Sequence, residues 1–265
     1  MNLAFQRIDG SRPKQAVAFL HGILGSGRNL RTIATRFIEQ RPEWSAWLVD
    51  LRGHGNSPKG HSEPTLEATA RDVLTLAQMH AIVGHSFGGK VALEALRIGE
   101  TGALRHVVTI DSSPSSREPL TGGDSALAIL DIIESLPGRF ESISSFVAAL
   151  EAAGLSRDVA QWLAGSLQRE GDHVQFSLDL AELRALLRDY FKSDLWPVVE
   201  NPPGETRVHL VIGDRSTSYS AADRDRASRI AASNQRVTVD VLATGHMVHV
   251  DDPGGLVGIL LRYIQ

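Results

Sequence analysis

Short, wholly apolar runs alternate with segments of helical periodicity along most of this chain. Runs without interleaved polar residues are typical of strands buried on both faces. Helices between such strands imply a mostly parallel sheet with right-handed crossovers. The alternation therefore predicts an α/β fold in which a mostly parallel sheet is flanked by helices. The apolar runs predicted as strands are 16–20, 46–49, 81–83, 106–110, 208–212 and 237–242.

This rhythm breaks after Asp111, where a Ser/Pro-rich stretch leads into a long segment of helical pattern with little strand character. An Asn-Pro-Pro-Gly turn marks the return of the strands. A chain of 265 residues is compatible with two domains or with one sheet domain that carries an insertion. Candidate site residues lie on both sides of the break. We therefore expect residues 1–111 and 206–265 to form one core domain and residues 112–205 to form a helical cap inserted into it.

Composition excludes several classes of protein. The sequence has no cysteine, which excludes disulfides, thiolate zinc sites and a cysteine nucleophile. Lys and Arg total 27 against 31 Asp and Glu, so the net charge of −4 offers no basic surplus for nucleic acid or anionic lipid. The first residues lack the apolar segment of a signal peptide, and the longest apolar run, 254–261, is too short to span a bilayer. We expect a cytoplasmic protein without a nucleic-acid partner or a membrane span.

The segment Gly-His-Ser-Phe-Gly-Gly at 84–89 lies between a predicted strand and a predicted helix. Gly-x-Ser-x-Gly in that context is typical of a nucleophile elbow, a sharp strained turn that lifts a serine hydroxyl above the sheet edge. Glycine is needed two residues before and after the serine because the backbone closes on itself there. Ser86 is therefore the predicted nucleophile, and the Phe87 amide at the helix start is a predicted oxyanion donor.

A serine nucleophile needs a base and an acid that orients the base. His246 lies in a loop directly after the last predicted strand, at the sheet edge where the elbow is expected. His249, three residues later, is the alternative base. Two carboxylates between Ser86 and His246 follow predicted strands, Asp111 after the fourth and Asp214 after the fifth. Either one can orient an imidazole, and either one can instead cap a helix or turn, so the residue pattern leaves the acid open.

A second Gly-rich turn, His-Gly-Ile-Leu-Gly-Ser, follows the first predicted strand and offers the Ile23 amide as a second oxyanion donor. Together the segments LHGILGS, DLRGHGNSP, VGHSFGG and GHMVHVDDP resemble the α/β-hydrolase superfamily over nearly the whole chain. The branch that the chain most resembles is the small capped esterase group, the YbfF-type carboxylesterases and their mitochondrial abhydrolase-domain relatives. The resemblance implies an α/β-hydrolase sheet with a helical cap inserted after the sixth strand.

The resemblance also implies roles for individual residues. The nucleophile, the base and the two oxyanion donors that it implies are Ser86, His246, Ile23 and Phe87. Most of the superfamily carries its acid three residues after the glycine that ends the seventh strand, where this chain has Ser216. The similar branch places the acid at the end of the sixth strand, which is Asp111 here. Asp214 stays the alternative acid, because it is two residues from the usual place.

The predicted function is that of a serine hydrolase, which cleaves a small-molecule carboxylic ester or thioester through an acyl-enzyme without metal or cofactor. A first alternative is a non-hydrolytic lyase or synthase of the menaquinone-pathway type, in which arginines of the cap bind a polyacid. A second is a catalytically silent binding protein. The candidate arginines are Arg139, Arg157, Arg169, Arg184 and Arg188. The aromatic residues available to line a pocket under the cap are Phe140, Phe146, Trp162, Phe176, Tyr190, Phe191 and Trp196.

Overall fold

The computed structural model describes residues 1–76, 78–100, 102–118 and 125–265. None of the helices in these ranges is long and apolar enough to cross a membrane. In chain order the strands and helices of the described chain are β1 (Phe5–Asp9), β2 (Gln15–Leu20), α1 (Arg31–Gln40), β3 (Trp44–Val49), α2 (Leu66–Leu74), β4 (Ala81–His85), α3 (Phe87–Ile98), β5 (His106–Ile110), α4 (Ala126–Ser135), β6 (Arg139–Phe140), α5 (Ile143–Ala152), α6 (Arg157–Ala164), β7 (Leu167–Glu170), β8 (His173–Phe176), α7 (Leu180–Lys192), α8 (Trp196–Glu200), β9 (Arg207–Gly213), α9 (Ala221–Ser233), β10 (Val237–Leu242), α10 (Val248–Asp251) and α11 (Pro253–Tyr263).

The larger sheet of the described chain has seven strands in the order β1-β3-β2-β4-β5-β9-β10. β1 pairs with β3 in the antiparallel sense, and all other neighbours in this sheet are parallel. The mostly parallel sheet flanked by helices is thus confirmed. β2, β4, β5 and β9 are buried along most of their length, as expected for strands that are covered on both faces.

The register of the parallel strands brings the ends of several strands to one edge. Leu20 lies opposite Gly84, and Ile110 lies opposite both His85 and Val211. The loops that follow β2, β4, β5 and β9 therefore leave the sheet side by side at its carboxyl edge. In open α/β sheets this edge is where ligand sites are built.

Two details of the predicted insertion differ in the structure. In the described chain the strand before the insertion is β5, the fifth strand, whereas the resemblance implies the sixth. The two numbers differ because a single strand, β1, precedes the parallel strands here. The insertion is also not purely helical, since β6, β8 and β7 form a small antiparallel sheet. Strands of two to four residues are too short to produce an apolar run, and a tight hairpin with Gly171 at φ 63° joins the last two. The division into a core and a cap stays a prediction.

A buried lysine joins the insertion to α3, and burial lowers its pKa to about 7. Lys90 is 1% exposed, and its Nζ donates to the carbonyl oxygens of Ser115, Tyr190 and Ser193, each at 2.8 Å. The ammonium also lies 4.5 Å from the centre of the Tyr190 ring. All three acceptors belong to the insertion, whereas Lys90 belongs to the helix that begins immediately after Ser86. The insertion is therefore anchored close to the predicted nucleophile.

Candidate active site

Ser86 lies at the sharp turn between β4 and α3, as the elbow pattern predicts. Its backbone has φ 50° and ψ −114°, in a region that residues other than glycine rarely adopt. Its N–H donates to the Ile110 carbonyl at 2.9 Å, which ties the turn to the neighbouring strand. A Cβ on Gly84 would lie 2.1 Å from the Gly88 carbonyl oxygen, so glycine is required where the turn closes. The strained turn holds Ser86 at the carboxyl edge of the sheet.

Asp111 and His246 meet at the same edge. Asp111 directly follows β5, its side chain is fully buried, and its backbone also has a positive φ of 47°. Its Oδ2 lies 2.6 Å from His246 Nδ1, and its Oδ1 accepts the Gly213 N–H at 3.0 Å. Asp214, the alternative acid, is exposed, and its backbone N–H donates to the Leu242 carbonyl. The structure thus brings Asp111, and not Asp214, to the imidazole.

Two serines to which sequence reasoning gave no role complete the surroundings of Asp111. The Ser216 hydroxyl donates to Asp111 Oδ2. Ser218 Oγ lies 3.0 Å from His246 Nδ1, and the Ser218 N–H donates to Ser216 Oγ at 3.1 Å. The sequence signal that could have given Ser216 a role was its position, because most of the superfamily has its acid there. A hydroxyl at that position does not replace the carboxylate but donates to it from the loop after β9.

His246 is held beside the elbow through His85, the residue before the predicted nucleophile. His85 Nε2–H donates to the His246 carbonyl at 3.0 Å, and the two rings lie 4.8 Å apart. Within the described chain no hydrogen bond joins Ser86 Oγ to the His246 imidazole. In a free enzyme this bond is often long and shortens when substrate binds. The His246 side chain is 42% exposed, so its ring is open to the site.

His249, the alternative base, packs away from the carboxylate. Its ring is 6% exposed and lies 4.6 Å from the His85 ring. Burial, together with the nearby His246, lowers the pKa of His249 to about 4. Burial and the neighbouring histidines also lower the pKa of His85. Both rings are therefore neutral near pH 7, and in this cluster of described histidines it is His246 that contacts a carboxylate.

The turn after β2 carries the other predicted oxyanion donor, Ile23. A Cβ on Gly22 would lie 3.4 Å from the Cβ of Ser86, so this turn runs alongside the elbow. His21 braces the turn, because its Nδ1–H donates to the Gly22 carbonyl at 2.7 Å while its Nε2 accepts a backbone N–H from the loop after β3. Phe87 begins α3, where the helix dipole and free N–H groups favour an anion. The backbones that carry both predicted donors thus lie beside Ser86.

Known proteins match the chain along nearly its whole length. Residues 17–259 match the sequence profile of the Alpha/beta hydrolase family. The chain is a member of the alpha/beta hydrolase family.

Relatives of this family member have names that state different activities. The sn-1-specific diacylglycerol lipase ABHD11 of Mus musculus is 28% identical over 263 residues, which cover 95% of this chain and 81% of the relative. The 2-succinyl-6-hydroxy-2,4-cyclohexadiene-1-carboxylate synthase of Serratia proteamaculans is 34% identical over 110 residues, which cover 40% of this chain and 41% of the relative. Among solved structures, a marine microorganism esterase has a TM-score of 0.82 at 18% identity and covers 99% of both chains. At that identity the structural likeness shows the fold.

The aromatic side chains that were predicted to line a pocket fall into two groups in this hydrolase-family chain. Phe140, Trp162 and Phe176 are half-buried, and the other four rings are buried. Phe146 joins two of the half-buried rings, since its ring lies 5.1 Å from that of Phe140 and 6.2 Å from that of Phe176. The half-buried rings have surface left for a ligand, whereas the buried rings are used in packing.

The five arginines that were predicted to bind a polyacid are exposed or paired with carboxylates. Arg184 forms ion pairs with Asp131 and Glu134 at 2.7 and 2.8 Å, and the other four are exposed. The described part of the chain does not place three or more His, Cys, Asp or Glu side chains where they could hold a metal ion. The independence from metal and cofactor stays a prediction.

Proposed function

We propose that this member of the alpha/beta hydrolase family is a serine hydrolase that cleaves carboxylic esters or thioesters through an acyl-enzyme. The observation that carries the proposal is the 2.6 Å contact between Asp111 Oδ2 and His246 Nδ1 at the edge that also carries Ser86. A carboxylate on Nδ1 selects the tautomer whose Nε2 is free to accept a proton. The lipase and the esterase among the similar proteins support the same class of chemistry.

The proposed first half of the reaction acylates Ser86. The Ser86 oxygen attacks the acyl carbon while His246 Nε2 takes the hydroxyl proton, and the negative charge moves to the carbonyl oxygen. The amides of Ile23 and Phe87 donate to that oxygen. His246 then gives its proton to the leaving alkoxide or thiolate, which departs as an alcohol or a thiol.

The second half regenerates the enzyme. His246 takes a proton from water, and the resulting hydroxide adds to the acyl carbon. When the tetrahedral intermediate collapses, the bond to Ser86 breaks, Ser86 regains its proton from His246, and the carboxylic acid leaves. Asp111 stays ionised throughout and stabilises the imidazolium that forms in each half.

The two other functions predicted from the sequence have less support. The synthase relative matches 40% of the chain, and the arginines that would bind a polyacid are exposed or already paired with carboxylates. A silent binding protein would not need a strained serine beside a carboxylate-bound imidazole. The small-molecule ester or thioester substrate, the cap formed by 112–205 and the cytoplasmic location stay predictions that accompany the proposal.

Replacing Ser86 with alanine is expected to lower hydrolysis of p-nitrophenyl butyrate by at least ~10³-fold, because the acyl-enzyme can no longer form. Wild-type protein is expected to be labelled covalently by a fluorophosphonate, and Ser86→Ala is expected to stay unlabelled. The matched control is Ser233→Ala, which removes an exposed hydroxyl at the end of α9. Retained hydrolysis or retained labelling in Ser86→Ala would contradict the proposal.

Replacing Ser216 with alanine is expected to lower kcat by about tenfold, because Asp111 loses a hydrogen bond to its charged form. KM is expected to change by less than about twofold, since the hydroxyl lies behind the acid and away from substrate. Steady-state kinetics on Ser216→Ala, Ser216→Thr and the neighbouring control Thr217→Ala check this. If kcat is the same in Ser216→Ala and wild type, the hydroxyl does not support the acid.

A further inference from the structure

The turn that carries Ile23 makes a contact with the insertion that the mechanism above does not use. The Ser166 hydroxyl donates to the Leu24 carbonyl at 3.2 Å, across 142 residues of sequence. Ser166 lies between α6 and β7, in the small-sheet part of the insertion. A side chain of the insertion therefore reaches the backbone next to a predicted oxyanion donor.

The backbone at Leu24 is strained and needs such support. Leu24 has φ 66°, in the left-handed region, and its side chain is 1% exposed. A leucine holds this conformation only when its surroundings fix it, and the conformation sets the directions of the peptide groups on either side. The Gly25 N–H donates to the Gly22 carbonyl at 3.1 Å and closes the turn. The hydroxyl of Ser166 adds a fixed partner for the Leu24 carbonyl itself.

Ser166 is held firmly enough to act as that partner. Both the N–H and the hydroxyl of Ser177 donate to the Ser166 carbonyl, at 3.1 and 2.7 Å. The Ser166 N–H donates in turn to the Leu163 carbonyl at 2.9 Å. These bonds close the open end of the hairpin made by β7 and β8 and join it to the end of α6. These hydrogen bonds therefore hold the Ser166 hydroxyl in place beside the turn after β2.

We propose that Ser166 is a positioning residue for the oxyanion hole. Its hydroxyl fixes the Leu24 carbonyl, and through the turn it fixes the direction in which the Ile23 N–H points. The hole is then complete only when the insertion is seated on the core, so that access and catalysis are coupled. The inference rests on the serine-hydrolase function proposed above. The inference predicts that loss of the Ser166 hydroxyl weakens binding of the tetrahedral intermediate more than it weakens binding of the substrate.

The experiment compares Ser166→Ala and Ser166→Thr with the matched control Ser144→Ala, which removes an exposed hydroxyl on α5 that has no contact with the turn. For each variant, kcat and KM are measured with p-nitrophenyl butyrate, together with the inhibition constant of an alkyl trifluoromethyl ketone. The ketone carbon bonds to Ser86 Oγ, the hydroxyl proton passes to His246, and an anionic oxygen is left in the oxyanion hole. Thermal unfolding of each variant is recorded in parallel.

In Ser166→Ala we expect kcat and ketone affinity to fall by the same factor, about tenfold, with KM within about twofold and Tm lowered by no more than ~4 °C. Ser166→Thr keeps the hydroxyl and is expected to resemble wild type, as is Ser144→Ala. Wild-type kcat and ketone affinity in Ser166→Ala would overturn the inference, and so would a loss confined to KM or one shared by Ser144→Ala. A wild-type protein that neither hydrolyses esters nor binds the ketone would overturn the proposed function itself, and with it this inference.

Discussion

Replacing Asp111 with asparagine is expected to lower kcat/KM for ester hydrolysis by ~10³–10⁴-fold. The amide has almost the shape of the carboxylate, so the buried pocket made by Gly213, Ser216 and His246 stays filled. It carries no charge, however, and its NH2 group can donate to His246 Nδ1. That contact favours the tautomer with the proton on Nε2, which cannot accept the proton of Ser86. Steady-state kinetics with p-nitrophenyl butyrate measures the loss.

The matched control for this variant is Asp214→Asn. Asp214 lies directly after the neighbouring strand and is exposed, so its replacement is expected to change kcat/KM by less than about threefold. Circular dichroism and thermal unfolding show whether Asp111→Asn keeps its fold, because a buried carboxylate also contributes to stability. A large loss in Asp214→Asn combined with a small one in Asp111→Asn would exchange the roles of the two carboxylates.

The convergence of Ser86, His246 and Asp111 was predictable because it follows from strand direction. Ser86 and Asp111 come directly after parallel strands and His246 lies in the loop after β10, and the carboxyl ends of parallel strands meet at one edge. Apolar runs and helical periodicity were sufficient to identify those strands. The elbow was predictable for a related reason, since its glycines answer a local steric need that any sequence with this turn must meet.

The choice between Asp111 and Asp214 was not decided by residue pattern, because both follow strands and either could cap a turn. The difference is conformational. Asp111 adopts a positive φ that turns its side chain into the sheet edge, where three donors surround it, whereas Asp214 stays at the surface. A positive φ at an aspartate has no sequence signature. Only the resemblance to a branch with a relocated acid favoured Asp111.

Short and half-exposed strands also escaped prediction. β1 alternates between exposed and half-buried residues at the sheet edge, so it lacks the apolar run that marked its neighbours. The strands of the insertion are two to four residues long, and their pairing depends on a hairpin turn and on partners distant in sequence. The contact of Ser166 with the turn after β2 depends on that pairing. For this reason the link between insertion and oxyanion turn is visible only in the folded chain.

Acid is expected to unfold this protein near pH 5, at the upper limit of the range in which carboxylates titrate. Burial lowers the pKa of His80. It lowers the pKa of six further histidines strongly: to about 4 for His21, His106 and His249, to about 3 for His54 and His209, and well below the usual value for His85. The folded chain therefore keeps these rings neutral, while the unfolded chain protonates them below pH ~6.5. The stabilising contribution is fully present above pH ~6.5 and is lost as the pH falls toward the folded values.

The size of this effect follows from the number of protons taken up on unfolding. Each histidine lowers the free energy of unfolding by up to ~1.4 kcal/mol per pH unit, so six lower it by up to ~8 kcal/mol per unit. A domain with a free energy of unfolding of ~5–15 kcal/mol at neutral pH is therefore expected to unfold when the pH falls by about 1–2 units below the histidine pKa of the unfolded chain. Urea unfolding curves at pH 8, 7, 6, 5.5 and 5 give the slope directly. A free energy of unfolding that is level between pH 7 and pH 5 would contradict the expectation.

The variant His249→Phe measures the contribution of one of these six histidines to proton uptake on unfolding. Within the described chain, His249 Nδ1 is buried without a hydrogen-bond partner, so a phenyl ring of similar size removes a titrating group without removing a bond from that atom. This variant is expected to take up about one proton fewer on unfolding and to unfold at a lower pH than wild type. The matched control is His61→Gln, which replaces an exposed imidazole. Equal slopes in wild type and His249→Phe would mean that this ring is already protonated in the folded protein, and that its burial does not exclude the charge.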